Sequence, residues 1–434
     1  MQPDRLRYCY LVQDEASNRW LSCRLLLTLV VLFALVATAV RIGLYRGFAP
    51  VGTDDQYYYA QARSLIVDRD LDLANELGAL TPRPDNVHTS TSRPWDVPTP
   101  TGRVACKYGI GAPMLLAPFL VVAHVASRVL GVGPGGTDGY AGAYYFAWYL
   151  GNFLLAYVAV FALTRVLRTV VGLDPWNATK VAWITFLLGP LLFHTVGDTF
   201  MSHVPAAAVV TIAYAIALDP EPKSLGRSLL LGLTLGVAVA VRQSNAVHCI
   251  LLASLFAPRL KWRQPRVLAA CAGLFVGFLP QLLAWKYVYG SFLVYSYTGE
   301  SVGAGGAYVI ENLFSTRSGL AYWNPAWGIG LFLVIFGPLV PWMVRLSAIL
   351  LLALNASWWC WWWGDTYGGR AFSSLLPHVG LALGYCDRWM SRSLKTRVLY
   401  RALLVLCFAW ALRNILVMEF LNGPERAQLG LSLW

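Results

Sequence analysis

About eleven long apolar runs, separated by short polar stretches, constrain this chain more than any other feature. They span 25–44, 141–164, 181–197, 203–218, 228–241, 244–258, 267–287, 326–343, 346–363, 372–386 and 399–418. A helix needs roughly 20 apolar residues to cross a hydrocarbon core of about 30 Å. Lipid offers the backbone no hydrogen-bond partner, so such runs are predicted to be helices packed in a bundle. Hydrophobic residues make up 57% of the 434 and charged residues 13%, a balance foreign to soluble domains. The expected fold class is an all-α polytopic membrane protein.

The formal charge of +12 would suit a nucleic-acid partner if it formed one patch. Instead Arg165, Arg168, Lys180, Arg259, Lys261, Arg263, Arg266, Arg388, Arg392, Lys395 and Arg397 sit in short clusters between the apolar runs. That spacing is what the positive-inside rule produces, so a bilayer is expected and nucleic acid is not. One segment is ambiguous. Residues 110–130 are apolar but contain Pro113, Pro118, His124 and Arg128. Were this segment to cross, every later basic cluster would move outside. It is therefore predicted to be re-entrant or to lie on the membrane surface, broken by proline.

This topology makes 1–24 a cytoplasmic N-terminus and 25–434 a single transmembrane domain, with outer loops at 45–140 and 288–325. The first run lacks a small-residue cleavage site, so it reads as a retained span, placing the protein in the cell's inner membrane. None of the eight cysteines forms a C-x-x-C. Neither a disulfide framework, a metal nor a cofactor is expected.

Four polar constellations fall on the outer side. Thr53-Asp54-Asp55-Gln56 follows the first span with the T-x-x-Q spacing of a capping box, placing both acids in a first helical turn. The amide groups and dipole there favour carboxylates, which serve either the dipole alone or as a general base. The helix is expected over 54–67, amphipathic, with Tyr57, Tyr58 and Tyr59 at headgroup level. Lys107 opens the 110–130 segment, either snorkelling or holding a lipid-linked phosphate. Asp198 and His203 share a tight turn, either solvated or binding a sugar. Finally, 358–363 holds five tryptophans in six positions, ending at Trp363, and Arg370 follows in a glycine-rich turn. Flat aromatic faces suit sugars or prenyl chains, and an arginine there can reach a phosphate. The loop at 288–325, with Gly303, Gly305 and Gly306, reads as a substrate lid or a plain linker.

The order of an acid pair, then SLIVDRDLDLANE (64–76), KYGIGAPMLLAPF (107–119), TRSGLAYWNPAW (316–327) and WWWGDTYGGRAFSSLLP (361–377) resembles the GT-C membrane glycosyltransferases. The likeness is to the branch of protein O-mannosyltransferases and the lipid A aminoarabinose transferase. It implies a polyprenyl-phosphate-linked sugar donor, a lipid, glycan or protein acceptor, and chemistry on the extracytoplasmic face. It assigns the base to Asp54, with Asp55 in place of the family's Glu, and the donor-phosphate contact to Lys107. Asp198 matches the family's second outer-loop acid. Arg242 and Arg370 are expected to complete the phosphate site, and Asp198, His203, Tyr58 and Trp363 the substrate site. The implied reaction inverts the anomeric centre.

Two other readings stand beside this one. A secondary transporter or polyprenyl-lipid flippase would usually show repeated halves and broken helices at the midplane, neither of which is visible here. A non-catalytic partner in glycan assembly would tolerate loss of the acids.

Overall fold

The computed structural model describes residues 34–43, 48–50, 53–80, 98–221, 224–255, 264–303, 307–364 and 366–420, with Thr28 and Leu32. The segment 1–24, most of the proline-rich stretch 81–100, the basic residues Arg259, Lys261 and Arg263, the hinge glycines Gly305 and Gly306, and Asp365 lie outside the described residues. So does the side chain of Thr53, and with it the predicted capping box.

The described residues are helical, with isolated bridges in place of any sheet. In order the helices are α1 (Ala34–Gly43), α2 (Thr53–Arg63), α3 (Ala74–Leu80), α4 (Gly111–Val129), α5 (Gly142–Val166), α6 (Pro175–Leu187), α7 (Leu191–Val196) and α8 (His203–Ala217). There follow α9 (Leu225–Val241), α10 (Gln264–Tyr289), α11 (Val309–Phe314), α12 (Leu320–Trp323), α13 (Pro325–Phe336), α14 (Trp342–Ala356), α15 (Leu376–Met390) and α16 (Leu394–Phe420). Among them α4, α5 with its π-helical extension, α10 and α16 are each long and apolar enough to cross a membrane. This is a membrane protein.

The bundle has two chemically different ends. Helices α8 and α9 rise about 22 and 25 Å at 1.5 Å per residue. At one end Arg165 meets Asp219 at 2.8 Å, Arg227 lies 3.7 Å from the same carboxylate, and Arg388 donates to the Val171 carbonyl. The basic clusters at 165–180, 219–227 and 388–401 thus share one face. At the other end of α8 and α9 stand His203 and Arg242.

Close helix packing fixes that second end. Gly232 and Gly236 of α9 face Gly273 and Gly277 of α10, a G-x-x-x-G pair. A Cβ on any of the four would sit 1.9–2.3 Å from a carbonyl oxygen of the opposite helix, so only glycine allows this approach. Gly109 and Gly111 press in the same way on Ala240 and Val241, at 2.2 and 2.4 Å.

Helix α4 runs unbroken through Pro118, contrary to the predicted break. Proline removes one backbone bond, and packing along α5 holds the remainder. By length and apolarity α4 is long enough to cross a membrane. It starts against Val241 and lies antiparallel to α5, with His124 Nδ1 2.7 Å from the Tyr144 hydroxyl and Leu116 and Phe119 against Gly151. The loop that follows is tied to α2, where Tyr59 donates to the Gly139 carbonyl and Arg63 to that of Asp138 at 2.7 Å.

Other expectations are corrected. Tyr57, Tyr58 and Tyr59 do not lie on an exposed amphipathic face but are buried, because α4, α5 and the 197–203 turn wrap α2 on several sides. The predicted span 181–197 divides into α6 and α7 at Gly189-Pro190, where Trp327 of α13 fills the space a glycine leaves. The described part of the run 244–258 is not a regular α-helical span but belongs to a 3₁₀ helix over Gln243–Leu255, whose rise of about 2 Å per residue stretches a short segment further. The run 326–343 stops at Phe336, and α14 begins afresh at Trp342. The run 346–363 ends as helix at Ala356. Beyond it, backbone bonds from Gly303 N to the Ser357 carbonyl (2.6 Å) and from Trp359 N to that of Ser301 (3.1 Å) tie the tryptophans to the second outer loop.

Candidate active site

At the end of the bundle away from the basic clusters, a cavity of about 310 Å³ is lined by Asp54, Tyr58, Lys107, His203, Arg242, Trp363 and Arg370. Seven of the nine residues singled out from sequence therefore meet in one place; Asp55 and Asp198 lie behind its wall.

Each side chain has a local cause for its position. Asp54 stands in the first turn of α2, a third exposed, with Arg370 Nη2 at 3.6 Å. Tyr108 also bonds Asp54; burial and this carboxylate hold its phenol well above the usual range, so it stays protonated and donates. Arg370 is aimed by the turn before it. Trp363 (φ 60°), Gly364 (φ 81°) and Gly369 (φ 78°) are all left-handed, and a Cβ on Gly364 would lie 2.9 Å from the Arg370 guanidinium. For Trp363 that conformation costs about 1–3 kcal/mol. The strain faces the cavity, where Trp363 stacks on Trp358 at 5.7 Å.

Neighbouring residues on a helix point about 100° apart, and the acid pair divides accordingly. Asp55 is buried and bonded to Asp198. Burial opposes charge on Asp198, but the His194 ring 3.4 Å away, the bond with Asp55 and the Arg370 charge outweigh it and keep its carboxyl well below the usual range. A hydrogen bond between two carboxyl groups needs one of them to carry the proton. Thr366 adds a further bond to Asp198 at 3.3 Å, and buried Arg41 braces the turn by donating to the Gly197 carbonyl.

The three cations differ in their partners. Lys107 is ion-paired to Glu300, and Arg370 faces Asp54. Arg242 has no carboxylate partner among the described residues. Its Nη1 donates at 2.7 Å to His203 Nδ1, which places the imidazole proton on Nε2, and that ring packs on His194 at 4.2 Å. Arg242 itself is extended (φ −150°, ψ 124°), the point where α9 breaks.

Sequence reasoning missed Glu300, Tyr108 and Tyr297, all of which line the cavity. Tyr108 sits beside Lys107 in a motif already singled out. Glu300 and Tyr297 lie in the second outer loop without a signature, and only the fold brings them in.

No family model and no curated protein sequence matches the chain. Among solved structures, it is similar to ArnT from Cupriavidus metallidurans, solved bound to undecaprenyl phosphate. The TM-score is 0.53 and the identity 15%, over 93% of this chain and 72% of that one. It is more loosely similar to the archaeal oligosaccharyltransferase AglB from Archaeoglobus fulgidus, in complex with an inhibitory peptide and a dolichol-phosphate. There the TM-score is 0.45 and the identity 13%, over 92% of this chain and 56% of that one, too loose to bear on the site. By architecture, the chain shares with ArnT the GT-C membrane fold that its sequence resembles.

Proposed function

We propose that the protein is an inverting glycosyltransferase that moves a sugar from a polyprenyl-phosphate carrier to an acceptor hydroxyl. One observation carries this reading. A single cavity at a membrane end combines a partly exposed carboxylate, three cations and an aromatic wall. Those are the groups such a transfer requires. The structural neighbour bound to undecaprenyl phosphate supports the choice of carrier.

In this reading the acceptor oxygen attacks C1 of the sugar while the C1–O bond to phosphate breaks on the opposite face. The transition state has oxocarbenium character, as in glycoside hydrolysis. Asp54 takes the hydroxyl proton, held in place by Tyr108 and Arg370. Lys107, Arg242 and Arg370 take up the negative charge that develops on the leaving phosphate. Trp363 and Tyr58 form the wall against which the sugar lies. Asp55 and Asp198 position the Asp54 turn. The basic clusters at the opposite end favour the cytoplasm, so the cavity opens on the extracytoplasmic face of the inner membrane.

The test is release of undecaprenyl phosphate from undecaprenyl-phosphate-linked sugars by the purified full chain in vesicles containing cell-envelope lipid and glycan acceptors. Transfer by the wild type and its loss in Asp54→Asn, with donor still bound, is the expected result. Full transfer by the Asp54→Asn/Asp55→Asn double variant would sink the assignment.

A further inference from the structure

Lys107, at the cavity, is ion-paired to a carboxylate that comes from 193 residues away. Glu300 Oε1 pairs with Lys107 Nζ, while Oε2 accepts from Trp359 Nε1 at 3.3 Å. Both side chains are about a tenth exposed, at 11% and 9%. At such burial the lost hydration of two charges largely offsets their attraction, so the pair is close to neutral in stability and readily exchanged for another anion. An exchange needs only the Glu300 side chain to turn, because both main chains are fixed: Glu300 N bonds to the Tyr297 carbonyl at 2.9 Å and Tyr295 Oη donates to the Glu300 carbonyl at 2.8 Å, while Ser296 Oγ donates to the Lys107 carbonyl at 2.7 Å.

The chemistry of the proposed reaction makes such a competitor useful. The donor is a phosphodiester with one negative charge. The product, polyprenyl phosphate, is a monoester whose second ionisation lies near pH 6, so at neutral pH it carries about −1.5 to −2. A cation cluster adequate for the donor therefore holds the product more tightly and would stall between turnovers.

Resting on the glycosyltransferase reading above, we propose that Glu300 competes with phosphate for Lys107 and reclaims that lysine from the polyprenyl-phosphate product, so that product leaves. Glu300 is a positioning residue in this scheme; it forms no bond to substrate.

The test is binding of undecaprenyl phosphate, with undecaprenol as the uncharged control, to the full chain and to Glu300→Gln and Glu300→Ala, with folding checked by thermal melting. Either variant should tighten undecaprenyl phosphate about tenfold and leave undecaprenol unchanged. In a Lys107→Gln background the same change at Glu300 should have little effect, because the contested cation is gone. Equal tightening in that background would mean a diffuse field effect and would overturn the proposal. So would wild-type binding that neither folded Glu300 variant strengthens, a result that leaves the glycosyltransferase reading standing. If the wild type fails to bind undecaprenyl phosphate, that reading falls and takes this proposal with it.

Discussion

The two ends of α2 bury charge in opposite ways. At its C-terminal end Arg63 is held by several partners at once. Its Nη1 reaches Asp68 and Glu76 (2.6 Å to the latter), its Nε bonds the Asp138 carbonyl, and its guanidinium covers the Tyr140 ring at 4.5 Å. At the N-terminal end Asp54 is a third exposed, shares Arg370 at 3.6 Å, and faces a cavity with a second arginine that has no carboxylate partner among the described residues. A charge network closed on itself holds a fold together. One left open, within a few ångströms of space for a ligand, is suited to binding and chemistry.

The sharpest way to break this comparison is to exchange the effects of the two ends. Asp54→Asn should lower sugar transfer by about 100- to 10,000-fold, the usual worth of a general base, with the melting temperature nearly unchanged. Arg63→Met should do the reverse, destabilising by about 1–3 kcal/mol by leaving the buried Glu76 carboxyl without its donor. Thermal unfolding and transfer rates measured on both variants check this. A large stability loss in Asp54→Asn would erase the distinction.

A smaller effect separates the cations. Removing one charge-assisted hydrogen bond to phosphate costs roughly 1.5–3 kcal/mol. Arg242→Gln should lie at the upper end for undecaprenyl phosphate affinity and Lys107→Ala at the lower, because Lys107 already gives up part of its attraction to Glu300. Titrations that rank them the other way would place the phosphate nearer Lys107. Asp55→Asn should reduce transfer less than Asp54→Asn, since Asp55 faces Asp198 and not the cavity; equal losses would show that the two acids act as a unit.

The smallest effect concerns the closed end. Burial, reinforced by the hydrogen bond with Asp68, pushes the Glu76 carboxyl up to about 8. Its folded value thus lies above its ordinary one near 4.5. The stability it contributes is full below about pH 4.5 and is lost as pH rises through about 8. Asp68 shifts the other way. Burial opposes its charge, but hydrogen bonds from Glu76, Asn75 and Arg63 lower it, so its share is lost on acidification. Glu76→Gln keeps the hydrogen-bonding shape without the titration. Melting curves between pH 6 and 9 should be flatter in that variant than in the wild type.

The acid pair shows how far sequence reasoning reaches. Local spacing put Asp54 and Asp55 in a first helical turn, which depends only on neighbours in the chain. Which of them meets the cavity depends on the rotation of α2, set by contacts from α4, α5 and the 197–203 turn. The same contacts bury Tyr57, Tyr58 and Tyr59, which looked like interfacial residues because a helix covered on several sides and a surface helix can share one pattern. The tryptophan run likewise read as the end of a span, since apolarity cannot distinguish a helix in lipid from an aromatic wall whose backbone bonds to a distant loop.

By itself, the sequence determined that the chain lies in a membrane, that its basic residues gather in clusters apart from its acid pair, and which motifs supply the lining of one cavity. Those properties follow from solvation and short-range geometry, to which each residue contributes independently of the fold. Only the tertiary structure decided that Arg242 reaches His203, that Asp55 turns inward to Asp198, and that Glu300 reaches Lys107 across 193 residues. These are pairings between segments remote in the chain, set by glycine-to-backbone contacts such as those of α9 with α10, and no local pattern encodes the partner.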